Sequence, residues 1–281
     1  MGKHLSIVLL IALGLSVLFW GCSKEEEEPP TPPSITAPNV NTIPYTDSIR
    51  VVWKNSPEAD EEGFLGYQLY ISTDDLSLMS ESELEACAVW DSIVLDTTYL
   101  LSSYEDSSLA INGIYYFGVR ALRSTDNGDT TSPLRVVQTS PVIMGEGKIF
   151  EYSSDSVCAF NFAEGTAITS DETSPFPDIY LDTCGVCEVT GYAVKSPHLS
   201  ASPWTGHTTF KLLGSGDPDE YPQTDESDMK DYCEVSMQVY AVKTSTNFYV
   251  KMWITSFGGE DPDKYIEFKY KYQTIPDYPH F

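Results

Sequence analysis

The feature that most constrains this chain is the alternation of apolar and polar residues in short runs separated by turn-forming residues. Such runs occur at 48–53, 66–71, 115–121 and 265–272. A period of two places every second side chain on the same face of an extended strand, so each run can bury one face and leave the other in water. The pattern therefore predicts an all-β fold.

The N-terminus has the order of a secretory signal peptide. Lys3 and His4 precede an apolar run over residues 5–20, and Gly21 and Cys22 follow it. The run is shorter than the roughly 20 residues that a membrane-spanning helix needs, and it ends at a small residue. We expect residues 1–21 to be removed on export, and an uncleaved membrane anchor is the alternative.

The Gly21-Cys22 pair resembles the lipobox of bacterial lipoproteins, although Phe19 and Trp20 are bulkier than the residues that usually precede it. The resemblance implies that Cys22 is acylated. Residues 22–33 are rich in glutamate and proline, a composition typical of an extended tether. Their Ser-Lys followed by glutamates resembles the export signal of Bacteroidota surface lipoproteins. We therefore expect an outer-membrane, lipid-anchored protein at the cell surface, with a plain soluble linker as the alternative.

The charge of the chain limits its partners. The sequence has 42 acidic and 16 basic residues, a net charge of −26 and a pI near 4.2. Such a chain repels polyanions, so nucleic acid and anionic lipid surfaces are excluded as partners of a binding face. Proteins, glycans, cations and small hydrophobic ligands stay open.

Residues 34–142 resemble the fibronectin type III family. The resemblance rests on Trp53 at the strand-B tryptophan, Tyr67 in the strand-C motif, and Leu109, Tyr115, Val119 and Ala121 in a Leu-x5-Tyr-x3-Val-x-Ala signature. It implies an immunoglobulin-like sandwich, closed at one end by the corner tyrosine Tyr115, that serves as a scaffold or contact module. Residues 80–86 begin with the pattern of a helix capping box, and this pattern predicts a short helix inserted between strands.

Residues 143–281 predict a second, mostly antiparallel β domain, with its clearest strands at 235–243, 247–255 and 265–272. The order of its pieces resembles the HmuY-type haem-binding lipoproteins. The matching pieces are 160–165, 177–180, 240–244, 249–251 and 268–270. This resemblance implies binding of haem or another small ligand.

Four cysteines of this second domain, Cys158, Cys184, Cys187 and Cys233, predict two disulfides in an exported protein. Three pairings are possible, and a metal site or a redox-active Cys184-x-x-Cys187 pair is the alternative. Cys87 is the odd thiol of the first domain, and we expect it to be unpaired and buried.

Two stretches of the second domain could bind ligands. In the loop 196–207, His198 and His207 flank Trp204, and the three could ligate and stack a flat ligand such as haem. The acidic stretch 217–231 holds Asp217, Asp219 and Glu220, which are candidate calcium ligands, although the stretch is not an EF-hand. Ordinary surface loops are the alternative for both.

Two stretches of the sequence approach a catalytic motif without matching it. Gly214-Ser215-Gly216 departs from the Gly-x-Ser-x-Gly nucleophile elbow, and His198 and His207 are too far apart for a zinc-protease pair. We therefore predict a non-enzymatic surface protein in which a fibronectin-type spacer presents a distal domain for protein or glycan contact. A haem- or small-ligand-binding lipoprotein and a cryptic hydrolase are the alternatives.

Overall fold

The chain folds as predicted into β-strands joined by loops and short helical turns. The computed structural model describes residues 34–89, 94–102, 109–126, 128–188 and 190–281, so Cys22 and the tether lie outside the described residues. Within these ranges, every helix is too short or too polar to cross a bilayer. Residues Ile35–Phe281 form one compact unit built of two β-sandwiches.

Seven strands of the N-terminal sandwich lie within the described residues. They are β1 (Asn39–Pro44), β2 (Ser48–Lys54), β3 (Phe64–Ser72), β4 (Thr98–Ser102), β5 (Tyr115–Thr125), β6 (Gly128–Thr131) and β7 (Arg135–Thr139). One sheet has the order β1-β2-β4, and the other has the order β3-β5-β6 with β7 beside β6 on the same edge of β5. Every pairing is antiparallel.

The core of this sandwich is formed by the alternating apolar residues of both sheets. Trp53 on β2 meets Tyr67 on β3 edge to face, with ring centroids 5.9 Å apart. At one end the backbone N–H of Ala110 donates a hydrogen bond of 2.6 Å to the Tyr115 hydroxyl. This is the contact expected of a corner tyrosine, while membership of the fibronectin type III family stays a prediction.

The predicted helical insertion is present as α1 (Glu81–Ala86). The carboxylate of Glu83 accepts a hydrogen bond of 2.7 Å from the backbone N–H of Ser80, which satisfies one of the free donors at the start of the helix. Leu84 is buried against Tyr70 and Leu76, so the helix covers a small satellite core on the outside of the β3-β5 sheet.

The described part of the C-terminal sandwich contains ten strands. They are β8 (Val142–Phe150), β9 (Ala159–Asn161), β10 (Thr166–Ile168), β11 (Ile179–Thr183), β12 (Tyr192–Lys195), β13 (Thr209–Gly214), β14 (Tyr232–Glu234), β15 (Val239–Lys243), β16 (Tyr249–Gly258) and β17 (Tyr265–Gln273). The first sheet has the order β10-β9-β11-β12-β14 and the second β13-β15-β16-β17-β8. Short 3-10 helices lie at Pro197–Leu199 and Pro218–Glu220.

The inner faces of these two sheets share an aromatic core. Phe160 of β9 meets Phe268 of β17 at 5.1 Å between ring centroids, and Met252 and Ile254 of β16 fill the space beside them. The alternation of β17 predicts one buried and one wet face, and this is wrong at Lys271, which is 2% exposed. The ring of Tyr45 from the N-terminal sandwich and the loop around Asp219 cover it.

The cysteines do not form the two predicted disulfides. Of the described cysteines, Cys184 and Cys187 are bonded to each other, while Cys158 and Cys233 are buried free thiols. Cys158 lies next to β9 and Cys233 on β14, with β11 and β12 between them, so about 14 Å of sheet separates them. A disulfide needs Cα atoms within about 7 Å. Cys87 is unpaired, as expected, but only half-buried.

Candidate functional site

The two histidines of the 196–207 loop lie side by side. His198 belongs to the 3-10 helix that follows β12, and His207 lies just before β13. Their imidazole rings meet edge to face with centroids 4.7 Å apart. The strands fix this meeting, because the loop leaves one sheet at the end of β12 and enters the other at β13. The two histidines that the sequence singles out therefore lie together, while ligand binding by them stays a prediction.

Asp231 completes a cluster with these histidines. Its Oδ1 lies 2.9 Å from Nε2 of His207, and its Oδ2 lies 3.5 Å from Nε2 of His198. The sequence does not distinguish Asp231 as a candidate ligand from the other acidic residues of the 217–231 stretch. Only the pairing of β12 with β14, whose first residue follows Asp231, places it beside the histidines.

Backbone hydrogen bonds hold the three segments of this cluster together. The N–H of Ser196 donates to the carbonyl of Asp231 at 2.8 Å, and the N–H of His198 donates to the carbonyl of Gly206 at 3.1 Å. The N–H of Thr208 donates to the Oγ of Ser196 at 2.8 Å. Ser196 and Thr208 are buried. The cluster therefore lies on anchored backbone although its side chains reach solvent.

Trp204 does not join the histidines. It is 3% exposed and packs edge to face on Tyr152 and Tyr180, with ring centroids 6.0 Å away in each case. Its indole N–H donates to the backbone carbonyl of Glu172 at 2.8 Å. The expectation that Trp204 stacks on a ligand is wrong, because its ring is buried and its N–H is bonded inside the protein. A haem site that relies on this ring is not formed.

The candidate calcium ligands Asp217, Asp219 and Glu220 each make a different contact in the structure. Asp217 accepts a hydrogen bond of 2.9 Å from the N–H of Asp219 and so caps the following 3-10 helix. Asp219 pairs with Lys271 at 2.7 Å, and Glu220 faces a cleft described below. The three residues therefore make separate contacts, and the lysine pairs with the most buried of the three carboxylates, while calcium binding there stays a prediction. Within the described ranges, the metal-ligand cluster found is His198, His207 and Asp231.

A cleft of about 810 Å³ lies at the junction of the two sandwiches. Strands β1, β2 and β7 form one wall, and residues 220–223 with His280 form the other. Four amide side chains line it, those of Asn39, Asn41, Gln138 and Gln223. The sequence does not reveal this cleft, because its walls come from segments far apart in the chain.

Two exposed cations, Lys54 and Arg135, also line this junction cleft. The indole Nε1 of Trp53 lies in its wall, buried and without a hydrogen-bond partner among the described residues. His280 faces Gln138 with 3.4 Å between their Nε2 atoms, and burial lowers the pKa of this histidine. The cleft therefore combines cations, amides, an imidazole and the acid Glu220 with apolar side chains such as Val40 and Val137, a mixed lining that offers polar groups to an oxygen-rich ligand.

Comparison with known proteins adds little to this geometry. No protein family and no curated protein matches the chain. Among solved structures, a family 28 exopolygalacturonase from Yersinia enterocolitica is 19% identical over 39% of this chain, with a TM-score of 0.22. The match spans 21% of that enzyme. A TM-score this low carries no argument about the fold or the activity of this chain.

Proposed function

We propose that this chain is a non-enzymatic, lipid-anchored surface protein that binds glycan in the junction cleft. The observation that carries the proposal is the cleft itself, whose walls are contributed by both sandwiches and carry amide and cationic side chains. Its volume of about 810 Å³ lies in the range of small-molecule sites. The N-terminal sandwich then acts as half of the binding site as well as a spacer.

The chemistry of the lining favours a sugar. Sugar hydroxyls both donate and accept hydrogen bonds, and the amides of Asn39, Gln138 and Gln223 offer both functions on neighbouring atoms. The amide of Asn41 is already bonded to the N–H of Thr42 and the carbonyl of Asp219. Lys54 and Arg135 add positively charged hydrogen-bond donors, which favour sugars with a carboxylate. The two cations offset locally the repulsion of anions by this acidic chain.

Binding to an array of neutral and uronic-acid-containing oligosaccharides tests the proposal. We expect the purified chain to bind a subset of the array and Arg135→Ala to weaken that binding about 10-fold, the value of one charged hydrogen bond. Lys269→Ala is the matched control, because Lys269 is exposed on β17 outside the cleft. No binding, or equal losses in the two variants, contradicts the proposal and leaves protein contact as the function.

The anchoring part of the proposal rests on Cys22. Labelled palmitate should enter the wild-type chain in cells, and Cys22→Ala should abolish the label and move the protein out of the membrane fraction. Protease added to intact cells should then digest the wild-type protein if the tether carries it to the outer face of the outer membrane. A wild-type chain without label overturns the lipid anchor.

A further inference from the structure

We propose that His198, His207 and Asp231 bind one divalent transition-metal ion of the zinc class. This site lies on the C-terminal sandwich and shares no residue with the junction cleft. It is therefore independent of the glycan proposal. Its three ligands come from two loops, since His198 and His207 lie in the connection between β12 and β13 and Asp231 directly precedes β14.

The distances fit a small tetrahedral ion. Zinc binds imidazole nitrogen and carboxylate oxygen at about 2.0–2.2 Å, which places neighbouring ligand atoms about 3.3 Å apart. The two nitrogen-to-oxygen distances of the cluster are 2.9 and 3.5 Å, and its ligand atoms all lie within 4.8 Å of one another. Small rotations of side chains on a fixed backbone bring these atoms to one centre.

The hydrogen bonds of Ser196 prepare His198 as a ligand. The Ser196 Oγ lies 2.8 Å from the N–H of Thr208, 2.7 Å from Nδ1 of His198 and 3.4 Å from the carbonyl of Gly206. The hydroxyl has a single hydrogen, so all three contacts are satisfied together only if the hydroxyl donates to the carbonyl and Nδ1 of His198 donates to Oγ. This tautomer leaves the lone pair of His198 on Nε2.

That lone pair faces a carboxylate. In neutral His198 with Nδ1 protonated, Nε2 and the Oδ2 of Asp231 are two acceptors 3.5 Å apart with no hydrogen between them. A cation placed there converts this repulsion into two coordinate bonds. A buried partner for the second ring nitrogen is the usual support of a metal-binding histidine, and Ser196 supplies it.

The ligand types select the ion. Two imidazoles with one carboxylate suit zinc and its neighbours in the transition series, whereas calcium and magnesium prefer sites made only of oxygen. The side chains are 32%, 62% and 43% exposed for His198, His207 and Asp231. The site is thus open to ions from solution, and three protein ligands leave a coordination position for water or for a partner's side chain.

Calorimetric titration of zinc chloride into the purified full chain in detergent tests the site. We expect one ion to bind per chain. His207→Ala should weaken zinc binding at least about 10-fold. Ser196→Ala should weaken it about 10-fold relative to the wild type, because this variant loses the contact that orients the ring of His198. Cobalt(II) in place of zinc should give the visible absorption bands of a tetrahedral ion in the wild type and lose them in His207→Ala.

Asp228→Asn is the matched control for these variants. Asp228 is an exposed acid near the cluster in sequence, and asparagine tolerates its φ of 59°. This variant should bind zinc like the wild type. If zinc fails to bind, or if His207→Ala binds it as Asp228→Asn does, the proposal is overturned. Zinc bound by cysteine thiols would give equal binding in His207→Ala and Asp228→Asn, because such binding does not depend on His207.

Discussion

Lys251 and Lys271 lie directly opposite each other on β16 and β17, and both are buried, at 1% and 2% exposure. They differ in their partners. Lys271 pairs with Asp219 at 2.7 Å, whereas the Nζ of Lys251 donates to the backbone carbonyl of Pro218 at 2.9 Å. Burial, with the charge of Lys271 beside it, lowers the pKa of Lys251 to about 7.

We expect Lys251→Met to stabilise the protein at pH 6.5, by roughly 2 kcal/mol. The pKa of Lys251 is lower in the folded chain than the ordinary value of about 10.4, so the unfolded chain binds more protons between these values. This lysine therefore makes wild-type stability rise from pH 7 to 10, and the advantage of the variant should shrink over that window.

Denaturant unfolding at pH 6.5, 8 and 9.5 measures this difference. Lys269→Met, at an exposed position of β17, is the control and should leave stability within about 0.5 kcal/mol of the wild type. A Lys251→Met variant that is less stable than the wild type at every pH contradicts the expectation.

Asp178 is a buried carboxyl with the opposite sign of pH dependence. Burial raises its pKa to about 6, although the N–H of Phe162 donates to its Oδ2 at 2.8 Å. The folded chain then binds more protons than the unfolded chain between about pH 4 and 6, so stability from this group is present below pH 4 and lost as the pH rises to 6.

Asp178→Asn keeps the acceptor oxygen and removes the charge. We expect it to be more stable than the wild type by about 2 kcal/mol at pH 7 and equal to it at pH 3.5. Thermal unfolding across this range checks the result, with Asp228→Asn as the exposed control. A variant with the same pH profile as the wild type shows that Asp178 does not titrate in this window.

The free thiols of Cys158 and Cys233 should resist alkylation in the folded protein. Burial raises the pKa of Cys158 to about 11, and burial also raises that of Cys233, so few thiolates form at pH 8. Mass spectrometry of protein treated with iodoacetamide should find both modified only after unfolding. Cys184 and Cys187 should react only after reduction. A disulfide between Cys158 and Cys233 contradicts this pattern.

Trp204 should be important for stability and unimportant for zinc. Trp204→Ala removes the ring that covers Tyr152 and Tyr180, and we expect it to cost about 3–5 kcal/mol. Leu199→Ala, an exposed change in the same loop, should cost less than about 0.5 kcal/mol. Trp204→Phe keeps most of the packing, so its zinc affinity should match the wild type. A marked loss of zinc affinity in this folded variant contradicts the assignment.

The sequence determines the class of the fold and many of its strands. Period-two alternation predicts β17 almost to the residue, because aromatic side chains at every second position can be buried together only in an extended strand. The capping box predicts α1 from local sequence as well, because Ser80 and Glu83 are close enough in the chain to cap the same helix start. The sequence pattern does not predict short strands such as β9 and β14, because three residues carry too little periodicity to be recognised.

Which residues share a site was decided by the tertiary structure. The sequence points to His198 and His207 because the loop holding them is unusual in composition, yet it also selects Trp204, which the fold buries. Asp231 joins the histidines only because β14 pairs with β12. The separation of Cys158 from Cys233 follows from the order of strands in the same sheet.

The burial of Lys251 and Lys271 shows the same division between local and long-range information. Alternation assigns both side chains to the face of the sheet opposite the core, and this assignment is correct. Whether that face meets water depends on Tyr45 and on the loop around Asp219, which are distant in the chain. Local periodicity fixes the direction of a side chain, whereas only the packing of separate segments fixes what that side chain meets.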